Sequence, residues 1–139
     1  MTNQHRQVYR LVNSRTSAVV VEDLEIADGF LGRFAGLQLR SRLPEGKGLL
    51  LVPCSSIHTC FMRFALDLVM VNKQGGVLQV SRNVPPWRAL VAPSQTHAVI
   101  EVTAGFLPEI QMGDRLILKR PGGQSADPEL PKTLRFLAG

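Results

Sequence analysis

Cysteine, aromatic side chains and blocks of like charge are all scarce in this chain of 139 residues. With only two cysteines, Cys54 and Cys60, it lacks the disulfide framework that holds small secreted domains together. Stability must come from a hydrophobic core, and the two thiols are expected to stay reduced. No apolar run approaches the ~20 residues that a bilayer-spanning helix requires, so membrane insertion is not expected. The opening "MTNQHRQVYR" does not lead into an apolar segment with a small-residue cleavage site, and the expected location is the cytoplasm. One Trp, one Tyr and six Phe supply no stacking platform for bases. The net charge of +5 is spread over single residues such as Arg6, Arg33, Arg63 and Arg88, with acids mixed among them. The basic surface therefore reads as solvated, with no nucleic-acid partner.

What the chain does have is β-branched and aliphatic. "QVYRLVN" and "SAVVVEDLEI" read as a hairpin around the polar "NSRTS". Phe30, Phe34 and Leu37 recur at helical spacing behind Asp28, a residue able to cap the first free N–H groups, and predict a short helix. "LLLV" is an unbroken apolar run of the kind buried on both faces. "LDLVMVN" and "VLQVSRNV" flank the turn "KQGG" as a second hairpin, "FLPEIQ" suggests one helical turn, and "THAVIEV" and "GDRLILK" supply later strands. The expected fold is α+β and mainly antiparallel β, with roughly six to eight strands in a rolled sheet or partial barrel and one short helix. Residues 1–120 form the single domain. Residues 121–139, rich in Gly and Pro, read as a flexible C-terminal tail on which Leu134, Phe136 and Leu137 dock weakly at most.

Chemistry concentrates in "PCSSIHTCFMRFALDLVMVN". If Ile57 to Arg63 is extended, His58, Cys60 and Met62 share one face. Asp67 then falls in an apolar run, where an ionised carboxylate needs a partner. Arg63, His58, Arg82 and the Trp87 N–H are the candidates. Cys54, His58, Cys60 and Met62 form a soft ligand set, but no CxxC pair and no common zinc spacing supports it, so no metal and no cofactor is expected. His58 can act as a general base oriented by Asp67 or Glu101, with Cys54, Cys60, Ser55, Ser56 or Thr59 as nucleophile, although no nucleophile elbow is present. It can equally line a pocket, or be a buried structural histidine. In "THAVIEV", Ala98, Ile100 and Val102 are expected to face the core, which leaves His97 as exposed decoration and Glu101 at the rim, paired with Arg82 or Arg115.

The order "GRFAGLQLRSRLPEGKGLLL", "SSIHTCFMRFALDLVMVNKQGGV", "AVIEVTAGF" and "MGDRL" resembles the prokaryotic family called domain of unknown function 192. The resemblance rests on Arg33, Gly36 and Leu37; on His58, Thr59, Met62 and Asp67; on Ile100, Glu101 and Gly105; and on Gly113 and Asp114. It covers about Leu24 to Leu118 and implies a mainly β single domain without an assigned activity. Many relatives carry an export or lipid-attachment leader, which the polar opening does not lead one to expect here, and Leu37-Gln38-Leu39 stands where the family often shows Leu-Met.

The favoured reading is a small binding module, monomeric or weakly dimeric. Its pocket is built from His58, Thr59, Met62 and Asp67, with Glu101 and Trp87 at the rim, and takes a small molecule or a peptide. A hydrolase-like enzyme using His58 with Asp67, and a domain that adds a strand to a partner along an exposed edge, are the alternatives.

Overall fold

Strands β1 (Tyr9–Asn13) and β2 (Val19–Asp28) pair antiparallel around the polar turn, as the β-branched runs predict. The computed structural model describes residues 8–28, 45–54, 56–58, 64–86 and 89–139; Asp28, Ser56, Ile57, His58 and Ala89 are described by their backbone alone. Strand β3 (Lys47–Val52) lies parallel to β2, with Asp23 beside Lys47 and Asp28 beside Val52. Parallel neighbours need a connection that travels back along the strands. The helix expected after Asp28 falls in that connection and lies outside the described residues.

Next come β4 (Ser56–His58), β5 (Leu66–Val71), β6 (Val77–Val84), β7 (Ala89–Val91), β8 (Ala98–Thr103) and β9 (Leu116–Lys119). Seven strands form one mixed sheet in the order β6-β5-β8-β3-β2-β1-β9, while β4 and β7 make a separate two-stranded ribbon. The described pairings other than β2–β3 are antiparallel. The protein is mostly β, and its sheet curls into a half-barrel. The two sheet edges meet where Gly76 bridges Arg115, with the Val77 N–H donating to the Asp114 carbonyl at 2.7 Å and the Leu116 N–H to the Gly75 carbonyl at 2.9 Å. Gly75 is required there: its φ is +77°, and a Cβ would stand 2.8 Å from the Phe136 carbonyl oxygen.

Curling gives the sheet two covered faces. Leu11, Leu24, Leu50, Val69, Ile100 and Leu118 fill the inside. Leu49, Leu51, Leu66, Leu68, Met70 and Val99 form a second apolar layer outside, against which Leu90 of β7 and Phe64 pack. The unbroken runs of β3 and β5 follow from this, because a strand covered twice has no solvent side to mark with polar residues.

Two sequence expectations are corrected here. Residues 121–139 are packed rather than a flexible tail. They bridge β9 through Lys119 and Ser125, then form short 3-10 segments at Asp127–Glu129 and Lys132–Leu137. Leu130, Leu134 and Leu137 are buried in the inner core. The Gly and Pro content suggested disorder, but the sheet is only partly closed and these leucines cover its open side, each contributing about 1.5–3 kcal/mol. "FLPEIQ" makes no helical turn. Pro108 biases Leu107 away from helical geometry, and Leu107 and Ile110 drop into the core instead.

Candidate functional site

Asp67 is the second residue of β5 and lies opposite a bulge in the edge strand β6. Leu66 pairs with Val84 but Leu68 with Ser81, so β6 carries an extra residue there, and Asn83 adopts φ 55°. The Asp67 carboxylate compensates for the broken ladder. Its Oδ1 accepts from the Asn83 N–H at 2.7 Å and its Oδ2 from the Gly105 N–H at 3.1 Å. Arg82 Nη1 stands 3.8 Å from Oδ2, and its guanidinium donates instead to the Leu107 and Pro108 carbonyls at 3.0 and 2.9 Å. Asp67 thus ties the β6 bulge to the turn after β8. Of the partners anticipated for it, Arg63 and Trp87 lie outside the described residues.

A comparable knot, unmarked in the sequence beyond a Gly-Asp turn, forms at Asp114. The carboxylate accepts from Arg15 Nε at 2.5 Å, Asn13 Nδ2 at 2.7 Å and the Gln111 N–H at 2.9 Å. The Arg15 guanidinium, helped by the Gln111 and Asn13 donors, outweighs burial and holds the Asp114 carboxyl down at about 2. It fastens the β1–β2 turn to the start of β9.

Glu101 lies on the other side of the sheet from Asp67. Asp67 pairs with Val102, whereas Leu68 pairs with Glu101, and successive strand residues alternate between faces. Asp67 therefore shares the inner side with Val69 and Val102, and Glu101 shares the outer side with Leu68 and Leu49. The two carboxyls do not converge on one pocket. Glu101 is also not at an exposed rim: it is 3% exposed. Its anticipated partners bond elsewhere, Arg82 as above and Arg115 to the Gln74 and Ala138 carbonyls. The cause is position, since β8 is flanked by β5 and β3 and covered on both faces. Burial among apolar neighbours pushes the Glu101 carboxyl up to about 8, so it is mainly protonated at neutral pH.

The ribbon lies over this outer face. His58 pairs with Ala89 and Ile57 with Leu90, and the Leu90 side chain packs on the layer containing Leu49, Leu68 and Met70. Thr59, Cys60, Met62 and Trp87 lie outside the described residues. Of the possible soft-metal set, Cys54 is a buried thiol. Among the described residues no group of three or more His, Cys, Asp or Glu is placed to hold a metal ion. His97 is not simple surface decoration: it is half-buried, with its ring edge-on to Phe136 at a centroid distance of 4.8 Å.

The model of domain of unknown function 192, described as an uncharacterized ACR family, matches residues 11–118. A UPF0127 protein of Pyrococcus furiosus is 29% identical over 101 residues, covering 68% of this chain and 84% of its own length. A crystal structure of a protein of unknown function from Novosphingobium aromaticivorans superposes with a TM-score of 0.67 at 21% identity, over 78% of this chain and 82% of that one. Another, from Sinorhizobium meliloti and named only provisionally as a transcription regulator, gives 0.65 at 19% identity, over 83% of this chain and 98% of that one. Similarity at this level of identity establishes a shared fold alone.

Proposed function

The chain belongs to the family of domain of unknown function 192, and from that premise we propose that it is a small binding module whose ligand sits between the β4–β7 ribbon and the sheet face carrying Glu101. The observation that carries this reading is Glu101 itself. A carboxyl 3% exposed in the middle of an apolar layer costs stability, which marks it as a candidate to meet a ligand. The motif segment supports the same place: it begins at the His58 end of the ribbon, and β7 starts just after Trp87 and Arg88. His58, Thr59, Met62 and Trp87 are proposed to complete the site. Among the described residues, Asp67 accepts from two backbone N–H groups and stands 3.8 Å from Arg82, and on this reading its role is to fasten the sheet.

A protonated carboxyl offers one donor and an acceptor side by side, complementary to an amide. The proposed ligand is an amide-bearing small molecule or the backbone of a short peptide, bound in the cytoplasm by a monomer or weak dimer. The test is NMR titration of the full chain with primary amides and dipeptides. Saturable shifts are expected at the amides of β3, β5 and β8 around Glu101. Glu101→Leu keeps apolar volume but removes donor and acceptor, so it should abolish those shifts while the melting temperature holds or rises. Shifts that survive Glu101→Leu, or that cluster around Asp67, refute the reading.

A further inference from the structure

At the end of the strands opposite Asp67 and Gly105, the sheet and the C-terminal segment flank an open, solvent-facing cavity of about 460 Å³. Val52 and Pro53 at the end of β3 and the Phe136 ring supply apolar walls, while Lys73, His97, Lys132 and Thr133 supply the polar groups. That volume suits a small organic molecule rather than a lone ion. Among the described residues no carboxylate lines the cavity and neither lysine forms an ion pair. Two ammonium groups with no ion-pair partner among the described residues set a local positive potential over an apolar pocket. Burial, aided by the Lys73 charge, holds the His97 imidazole below its ordinary range, so at neutral pH it is a hydrogen-bonding wall and not a third cation.

The walls are held in place before any ligand arrives. The His97 N–H donates to the Val71 carbonyl at 2.8 Å, and its carbonyl accepts from the Cys54 N–H at 2.8 Å. Phe136 meets the His97 ring edge-on and sits between the buried Leu134 and Leu137 in sequence. The occupant that satisfies both the charge and the apolar walls has one anionic group on an apolar body.

We propose that this cavity is a second ligand site, for a small aryl or branched-alkyl carboxylate held by Lys73 and Lys132 with its apolar body against Phe136, Val52 and Pro53. It is independent of the Glu101 site, which lies on the outer face.

The test uses benzoate as probe, with benzylamine as the cation of matching shape and acetate as the anion without a ring. Each is titrated into the full chain while the amide signals of Lys73, His97 and Thr133 are followed by NMR. Benzoate is expected to shift these signals saturably, benzylamine to leave them unmoved, and acetate to bind roughly tenfold more weakly because it buries no ring. The Lys73→Glu/Lys132→Glu variant should weaken benzoate by roughly tenfold or more with an unchanged melting temperature. Should the double variant fold poorly, Lys132→Gln on the exposed side chain reads the same loss in smaller measure. The proposal is overturned if benzoate gives no saturable shift, if benzylamine binds equally well, if the shifts lie elsewhere, or if affinity survives the lysine substitutions in a folded variant.

Discussion

Glu101 and Asp114 are each 3% exposed, yet their carboxyls are displaced in opposite directions, to about 8 and about 2. Asp114 meets a guanidinium and two further donors, whereas Glu101 sits in an apolar layer. Linkage turns this difference into opposite slopes. The stability contributed by Asp114 is full above its ordinary value of 3.8 and is lost as pH falls through about 2. For Glu101 the neutral acid is the stabilised form, so stability is full below 4.5 and is lost as pH rises through about 8. Urea denaturation of the wild type between about pH 5 and 8 should therefore lose up to about 1.4 kcal/mol per pH unit from this group. Glu101→Gln should remove that slope and overtake the wild type at the alkaline end; parallel curves for the two proteins would show that Glu101 is ionised in the fold. Asp114→Ala leaves the buried Asn13 amide without its acceptor and should cost about 2–3 kcal/mol at neutral pH, read from the same denaturation curves. The sequence singled out Glu101 and the Gly113-Asp114 turn as positions that match the family's motif. It could not show that Glu101's face is covered, nor that Asp114 is met by Asn13 from 101 residues away.

Local pattern specified the hairpins well. β1 with β2 and β5 with β6 are adjacent runs of β-branched and aliphatic residues separated by short polar turns, so sequence neighbours became spatial neighbours. The parallel β2–β3 pair was hidden because its direction depends on a connection and not on either strand's composition. The C-terminal segment misled for a related reason: its leucines are isolated in polar, Gly- and Pro-containing sequence, and their burial depends on an opening left by the sheet. Its weight can be measured directly. Leu137 is fully buried, and Leu137→Ala should destabilise the protein by about 2–5 kcal/mol in denaturant titration. A loss within a few tenths of a kcal/mol would return the segment to the status of a loosely attached tail.

Closure of the sheet makes the whole molecule depend on contacts between its two ends. Strand β1 pairs along its length with β9, Leu11 beside Leu118, and the opposite edge strand β6 reaches β9 through Gly76 and Arg115. Opening the β1–β9 seam would expose Leu11, Leu116 and Leu118, each completely buried, along with the interior they close. Local opening is therefore expected to be nearly as costly as global unfolding. In native-state hydrogen exchange, the paired amides of β1 and β9 should share the free energy and the denaturant dependence of those in β8. Exchange of β1 and β9 through a smaller opening, insensitive to urea, would mean that the seam frays independently. The same cooperativity extends to ligands. A ligand that binds only the closed state stabilises it, so if the proposed cavity site holds, benzoate at a hundred times its dissociation constant should raise protection by about 2.7 kcal/mol in β1 and β8 alike. A gain confined to the cavity wall would show that the sheet does not open as one unit.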